Sequence, residues 1–247
     1  MRCKSRSIHW VFLIIIGLSS IQTTWPQFPH IRPNGYGLQV VTTIKNYKQS
    51  IKIDTSKRMV PLECCIKPLI TDFKYATKAN FTNRILYRKP AAYLRLPAAR
   101  TLQNVQKELI AQGLTLVILD AYRPYSVTKI MWQVVPDERY AANPANGSGH
   151  NRGASVDVTI ANLTTGIELE MPTAYDDFSE KAHHNYQELN ETVKKNRQLL
   201  RNVMEKHGFV ALETEWWHYS LPRAAQRFDL MDLSFKQMKR ATRKNCY

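Results

Sequence analysis

One run, residues 99–124, constrains the fold more than any other stretch of the chain. From Ala99 to Gln112 the apolar residues Leu102, Val105, Leu109 and Ile110 recur at helical spacing, and Gly113 stands where a helix closes on a glycine. The next six residues, "LTLVIL" (114–119), form a β-rich run too short for a helix. The run stops at "DAYRP", whose proline and polar residues break a strand. A helix leading straight into a strand that ends on charged residues is a scaffold that can present chemistry, because functional groups gather at such ends. Beyond Pro124, "YSVTKIMWQVV" predicts a helix and 136–149 a loop; "SVDVTI" (155–160) and "GIELEM" (166–171) predict a hairpin across "ANLTT". A second helix is expected from Glu191 to Lys206, capped by Asn190 and closed by Gly208, and residues 209–220 then read as one last strand. Helices and strands in mixed order, rather than alternating βα units, define an α+β class with a mainly antiparallel sheet and flanking helices. At 247 residues and 44% hydrophobic content, one catalytic-sized domain is expected.

The flanks differ in kind. Arg2, Lys4 and Arg6 precede the apolar "WVFLIIIGL" (10–18), followed by small polar residues. That stretch is too short for a membrane span and matches an export signal over residues 1–25, so we expect an exported, periplasmic or secreted protein with no stable membrane span after processing. Residues 26–57 read as an irregular N-terminal arm. The formal charge is +15, and residues 223–247 concentrate seven Lys or Arg against Asp229 and Asp232 as a basic C-terminal tail. Such a tail is a solvated face first, and a means of weak association with anionic envelope polymers second. Aromatic residues do not interleave with its charges as they do on a nucleic-acid platform, which argues against nucleic acid as a partner. Beyond the signal segment, Cys64, Cys65 and Cys246 allow one disulfide from Cys246 to Cys64 or Cys65 and leave one thiol.

Two stretches offer metal chemistry. A catalytic zinc site takes three ligands from His, Asp and Glu and keeps a fourth position open. "SGHNRGASVD" supplies His150 and Asp157, and "ETEWWHYS" supplies His218 with Glu215 three positions earlier. Together they have the composition of a two-His, one-carboxylate site with a separate base. Residues three apart on an ideal strand point to opposite faces, so Glu215 and His218 can share a site only if the strand bends or ends between them. Gly153 permits a turn between His150 and Asp157. A histidine beside a glycine turn is also a common surface or capping residue, and tryptophans beside a histidine commonly pack a core; composition leaves both readings open.

Ser148, His150, Gly153 and Asp157 fit the pattern S-x-H-x-x-G-x-x-x-D, and Glu215 with His218 fits E-x-W-H. With "DFKYATKANFT" (72–82), "LDAYRP" (119–124) and "MPTAYDDF" (171–178) in the same order, residues 58–222 resemble the zinc D,D-peptidases, and within them the D-alanyl-D-alanine dipeptidase family. The resemblance implies a zinc D,D-peptidase (Hedgehog-like) architecture, with 58–222 as the catalytic domain. It implies one Zn2+ per chain on His150, Asp157 and His218, Glu215 as general base and Arg123 as the donor that stabilises the oxyanion. It further implies that Asp176, assisted by Tyr75, receives the ammonium of a D-Ala-D-Ala substrate, with Ser148 near its carboxylate and Tyr87 lining the pocket. The Asp176–Asp177 pair could slip by one position in this alignment. Pro172 departs from the glycine more common in the family, and His183 and His184 are left as structural residues. The alternatives are a D,D- or L,D-carboxypeptidase acting on longer peptidoglycan peptides, or a non-catalytic wall-binding domain.

Overall fold

The computed structural model describes residues 31–242, so the apolar segment at 10–18 and Cys246 lie outside the described residues. In chain order the strands are β1 (Val40–Val41), β2 (Met59–Pro61), β3 (Ile70–Thr71), β4 (Tyr93–Arg95), β5 (Leu114–Asp120), β6 (Ser155–Asn162), β7 (Val210–Leu212), β8 (Glu215–Ser220) and β9 (Leu230–Met231). The helices are α1 (Ile44–Ile53), α2 (Leu96–Ile110), α3 (Tyr125–Val134), α4 (Glu191–Lys206), α5 (Ala224–Arg227) and α6 (Phe235–Thr242). The class is α+β. The main sheet has five strands in the order β3-β5-β6-β8-β7, and only the β3–β5 pair is parallel.

Local chemistry explains the best-defined elements. Helix α2 starts with a proline in its first turn and buries Leu102, Val105 and Leu109, and Gly113 beyond it takes φ +72°. Strand β5 is buried along nearly its whole length. Helix α4 opens on Asn190, whose side chain accepts the Val193 amide, and buries Leu200, Val203 and Met204 in the same core as α2 and the sheet.

Three expectations need correction. The segment 209–220 is two antiparallel strands, β7 and β8, separated by Glu213 and Thr214. Residues 166–171 fold back on β6, but through a single bridge, Ala161 to Glu168, so no second strand forms there. The arm and the tail are folded where described. Strand β1 pairs with β9, and Val41 and Tyr47 join Met231, Leu233, Phe235 and Met238 in a second core that also holds Tyr87 and Tyr122. Cys64 is disulfide-bonded, while Cys65 is a buried free thiol. No described helix is long and apolar enough to cross a membrane.

Candidate active site

The sheet register itself assembles the site. Asp120 at the end of β5 pairs across to Asp157 on β6, and Asp157 pairs across to His218 on β8. His150 comes from the turn preceding β6: residues His150–Arg152 form one 3-10 turn that ends on Gly153 at φ +66°, with the Gly153 amide donating to the His150 carbonyl. The left-handed backbone at Gly153 favours glycine, and a Cβ there would lie 2.6 Å from the Met59 methyl, which would have to shift.

Each histidine has its outer nitrogen engaged and its inner nitrogen aimed at the same point. His150 Nδ1 lies 2.7 Å from the Ala121 carbonyl, which can only accept, so Nδ1 carries the proton and Nε2 offers a lone pair. His218 Nε2 lies 3.1 Å from the Ser220 hydroxyl, itself 2.6 Å from Ser155, leaving Nδ1 to face inward. The two inner nitrogens are 3.1 Å apart, and Asp157 Oδ1 is 2.9 Å from His218 Nδ1 and 3.3 Å from His150 Nε2. Ligands on a tetrahedral zinc at about 2.1 Å sit roughly 3.4 Å from one another, so the set fits such an ion in donor type and spacing, and His150 in tautomer as well. Burial alone would raise the Asp157 carboxyl, but His150 and His218 outweigh it and hold it below the usual carboxylate range.

Arg123 and Glu215 flank this triad. The Arg123 Nε and Nη2 atoms donate to Asp120 Oδ2 at 2.9 and 2.7 Å, its guanidinium lies 5.3 Å from the Tyr75 ring centre, and its backbone amide donates to the His150 carbonyl. Glu215 is the first residue of β8, opposite a register shift at Ala211 and Leu212. That bend resolves the facing problem: its Oε2 lies 3.9 Å from His218 Nδ1. Burial pushes its carboxyl up to about 7, with the His218 side chain opposing and Asp157 and Asp176 adding to the rise.

The far wall is built from residues 75 and 175–176. The Tyr75 hydroxyl donates to Asp176 Oδ1 at 3.0 Å, while Asp176 Oδ2 is buried without a hydrogen-bond partner. Burial, then the Asp157 charge, lifts the Asp176 carboxyl to about 7. Its neighbour Asp177 instead accepts the Ser179 amide at 2.8 Å. The Tyr175 hydroxyl donates to Asp157 Oδ2 at 2.8 Å. Tyr75, Arg123, Ser148, Asp176, Glu215 and Trp217 line a cavity of about 400 Å³ with the triad at its base. Ser148 also accepts the His150 amide at 3.2 Å.

Tyr87 is a correction: its hydroxyl donates to Asp120 Oδ1 at 2.8 Å, so it braces the Asp120–Arg123 pair from behind instead of lining the pocket. Asp120, Tyr175 and Ser220 were not singled out from the sequence, although each sits within two or three residues of a residue that was. His184 packs on the Tyr219 ring, with 6.2 Å between ring centres, as a structural residue.

Residues 55–239 match the sequence profile of the family described as D-ala-D-ala dipeptidase. A D-alanyl-D-alanine dipeptidase of Escherichia coli is 34% identical over 172 residues, covering 70% of this chain and 88% of that protein. One from Enterococcus faecalis is 32% identical over 177 residues, covering 61% of this chain and 84% of that protein. The match reaches past both ends of the motif-bearing segment, into α6 on one side and the 3-10 turn before β2 on the other. With a two-His, one-carboxylate triad, a buried glutamate beside it and an arginine fixed at its rim, this chain belongs to the D-alanyl-D-alanine dipeptidase family of zinc peptidases.

Proposed function

We propose that the protein hydrolyses free D-Ala-D-Ala with one zinc per chain. The observation that carries this reading is Asp176 Oδ2, a buried carboxylate oxygen at the cavity wall with no partner. A buried polar atom left unpaired costs about 1–3 kcal/mol, and a cation arriving beside it offsets that cost. A free dipeptide brings an ammonium within one residue of its scissile bond, whereas an internal stretch of a longer wall peptide has an amide there.

His150, Asp157 and His218 would hold the zinc, which when bound supplies Lewis acidity to the water and to the peptide carbonyl. Glu215, poised near neutrality, takes the proton of the attacking water and delivers it to the departing amine. Arg123 directs donors toward the carbonyl oxygen as it gains charge, and Asp120 prevents the guanidinium from swinging away. Asp176 and Tyr75 hold the ammonium end, and Ser148 offers a hydroxyl to the carboxylate end.

The N-terminal apolar segment supports a setting outside the cytoplasm, where the reaction serves turnover or salvage of wall-derived dipeptide. Lys236, Lys239 and Arg240, exposed on α6, support weak association with anionic envelope polymers. Hydrolysis rates for D-Ala-D-Ala and its N-acetyl analogue test the central reading. Cleavage of the free dipeptide is expected, with the acylated analogue turned over at least tenfold more slowly. Preference for the acylated substrate would instead establish a carboxypeptidase. Absence of hydrolysis on either substrate would favour the non-catalytic reading. Fractionation of cells producing the full chain tests export, and salt-dependent retention on an anionic polymer matrix tests the α6 face.

A further inference from the structure

We infer that Tyr175 is a positioning residue for the metal site: its hydroxyl anchors the outer oxygen of Asp157 and thereby commits that ligand to the metal through Oδ1 alone. The inference rests on the zinc reading above and concerns a side chain that the reading does not use.

The geometry separates the two oxygens of one carboxylate. Oδ1 faces the imidazoles, 2.9 Å from His218 Nδ1 and 3.3 Å from His150 Nε2. Oδ2 points away and accepts the Tyr175 hydroxyl at 2.8 Å, with Arg123 Nη2 more distant at 3.9 Å. Asp157 is 2% exposed, so water cannot take over that role freely. A phenol has one proton to give. The Tyr75 oxygen is also within reach of Tyr175, at 3.2 Å, but Tyr75 donates its own proton to Asp176 at 3.0 Å, and the shorter link to Asp157 is the one Tyr175 fills.

The ring holds this hydroxyl in place independently of the hydrogen bond. It meets the Trp217 ring edge-to-face at 5.4 Å and the Tyr75 ring at 5.9 Å. Trp217 is one residue from His218, and Tyr175 one from Asp176, so the phenol sits between the ligand-bearing strand and the loop that carries the ammonium-binding carboxylate. Hydrogen bonds of this kind to ligating groups fix their orientation, and losing one lowers metal affinity about 10- to 100-fold.

Tyr175→Phe tests this, since it keeps the ring and removes only the hydroxyl. Zinc affinity is read by competition with a chromogenic chelator, without substrate. We expect about a 10- to 100-fold loss relative to wild type. With cobalt(II) in place of zinc, the visible bands should weaken, because the freed Oδ2 can join Oδ1 and raise the coordination number. Tyr75→Phe removes the neighbouring hydroxyl and should leave zinc affinity unchanged while raising KM for the dipeptide. Equal zinc affinity in wild type and Tyr175→Phe, with identical cobalt spectra, would overturn the inference and leave the zinc reading standing. A wild-type chain that takes up no zinc would overturn both. Thermal melts of the metal-free proteins guard against misfolding: a Tyr175→Phe melt matching wild type assigns the lost affinity to the hydroxyl, and a collapsed melt makes Tyr175 a structural residue and refutes the positioning role.

Discussion

Replacing Asp176 with asparagine should make the protein more stable and less active, and pH separates the two effects. The Asp176 carboxyl has one oxygen bonded to Tyr75 and one buried without a partner, and it titrates near 7 rather than 3.8 because of burial and the nearby Asp157 charge. A carboxyl whose pKa is raised by folding favours the folded state fully below the unfolded value. That advantage is lost as pH rises from about 4 through about 7, because the chain must then hold an unwelcome charge. At about 1.4 kcal/mol for each tenfold change in ionisation, the shift corresponds to roughly 4 kcal/mol, which water at the cavity mouth screens to about 1–3 kcal/mol. Asparagine suits the site because Asp176 adopts φ +62°, a left-handed conformation that asparagine tolerates. The metal-free Asp176→Asn protein should therefore melt about 3–8 °C above wild type at pH 8 and within about a degree of it at pH 4.5. Activity should move the other way. An ammonium paired with a desolvated carboxylate is worth about 2–5 kcal/mol, so kcat/KM for the free dipeptide should fall roughly 30- to 5,000-fold. In wild type, kcat/KM should also decline as pH drops below about 7 and the carboxyl takes up a proton. Differential scanning fluorimetry at the two pH values and steady-state kinetics provide the measurements. A melting temperature at pH 8 at or below that of wild type, or unchanged kcat/KM, would refute the reasoning.

Other perturbations have equally definite outcomes. Glu215→Gln should lower kcat by about 10²–10⁴-fold while the chelator competition shows zinc affinity retained, because the carboxyl acts on the proton and not on the ion. Asp120→Asn breaks a buried pair with Arg123 and should cost about 3–5 kcal/mol by urea denaturation, with kcat/KM falling as well. Gly153→Ala puts a methyl 2.6 Å from the Met59 methyl in a left-handed turn. It should destabilise the fold by about 2–3 kcal/mol in the same assay and weaken zinc binding, since His150 lies in that turn.

The legible parts of the sequence were the local ones. Helix α2, Gly113 and β5 announce themselves through spacing, a terminal glycine and a short β-rich run, all within 26 residues of one another. Helix α4 does the same through its Asn190 cap. The break between β7 and β8 was hidden because Glu213 and Thr214 carry no turn signature, and β-rich residues continue on both sides. Helix α1 carries its signal in Ile44, Tyr47 and Ile51 at helical spacing behind the Thr43 cap, a short stripe set among mostly polar residues. The motif pairs within the site could be quoted from the sequence, but their approach could not be derived from it. Glu215 reaches His218 through a register irregularity set by β7, and Tyr175 meets Tyr75 across a separation of 100 residues. Such contacts are properties of the closed sheet and its loops, not of any window along the chain.

The pairing of β1 with β9 has a consequence for modularity. The Tyr122 hydroxyl donates to the Leu233 carbonyl at 2.8 Å and accepts the Leu233 amide at 2.9 Å, which pins the residue next to Arg123 to the C-terminal segment. Tyr87, the brace behind Asp120, stacks edge-on against Phe235 with 5.0 Å between ring centres. The stretch that holds Arg123 is thus fastened from outside the motif-bearing residues, by a C-terminal segment whose strand β9 pairs with β1. A fragment trimmed to those motifs would carry every reactive group and lack the buckle, so the smallest transplantable enzyme here extends to the strands at both ends.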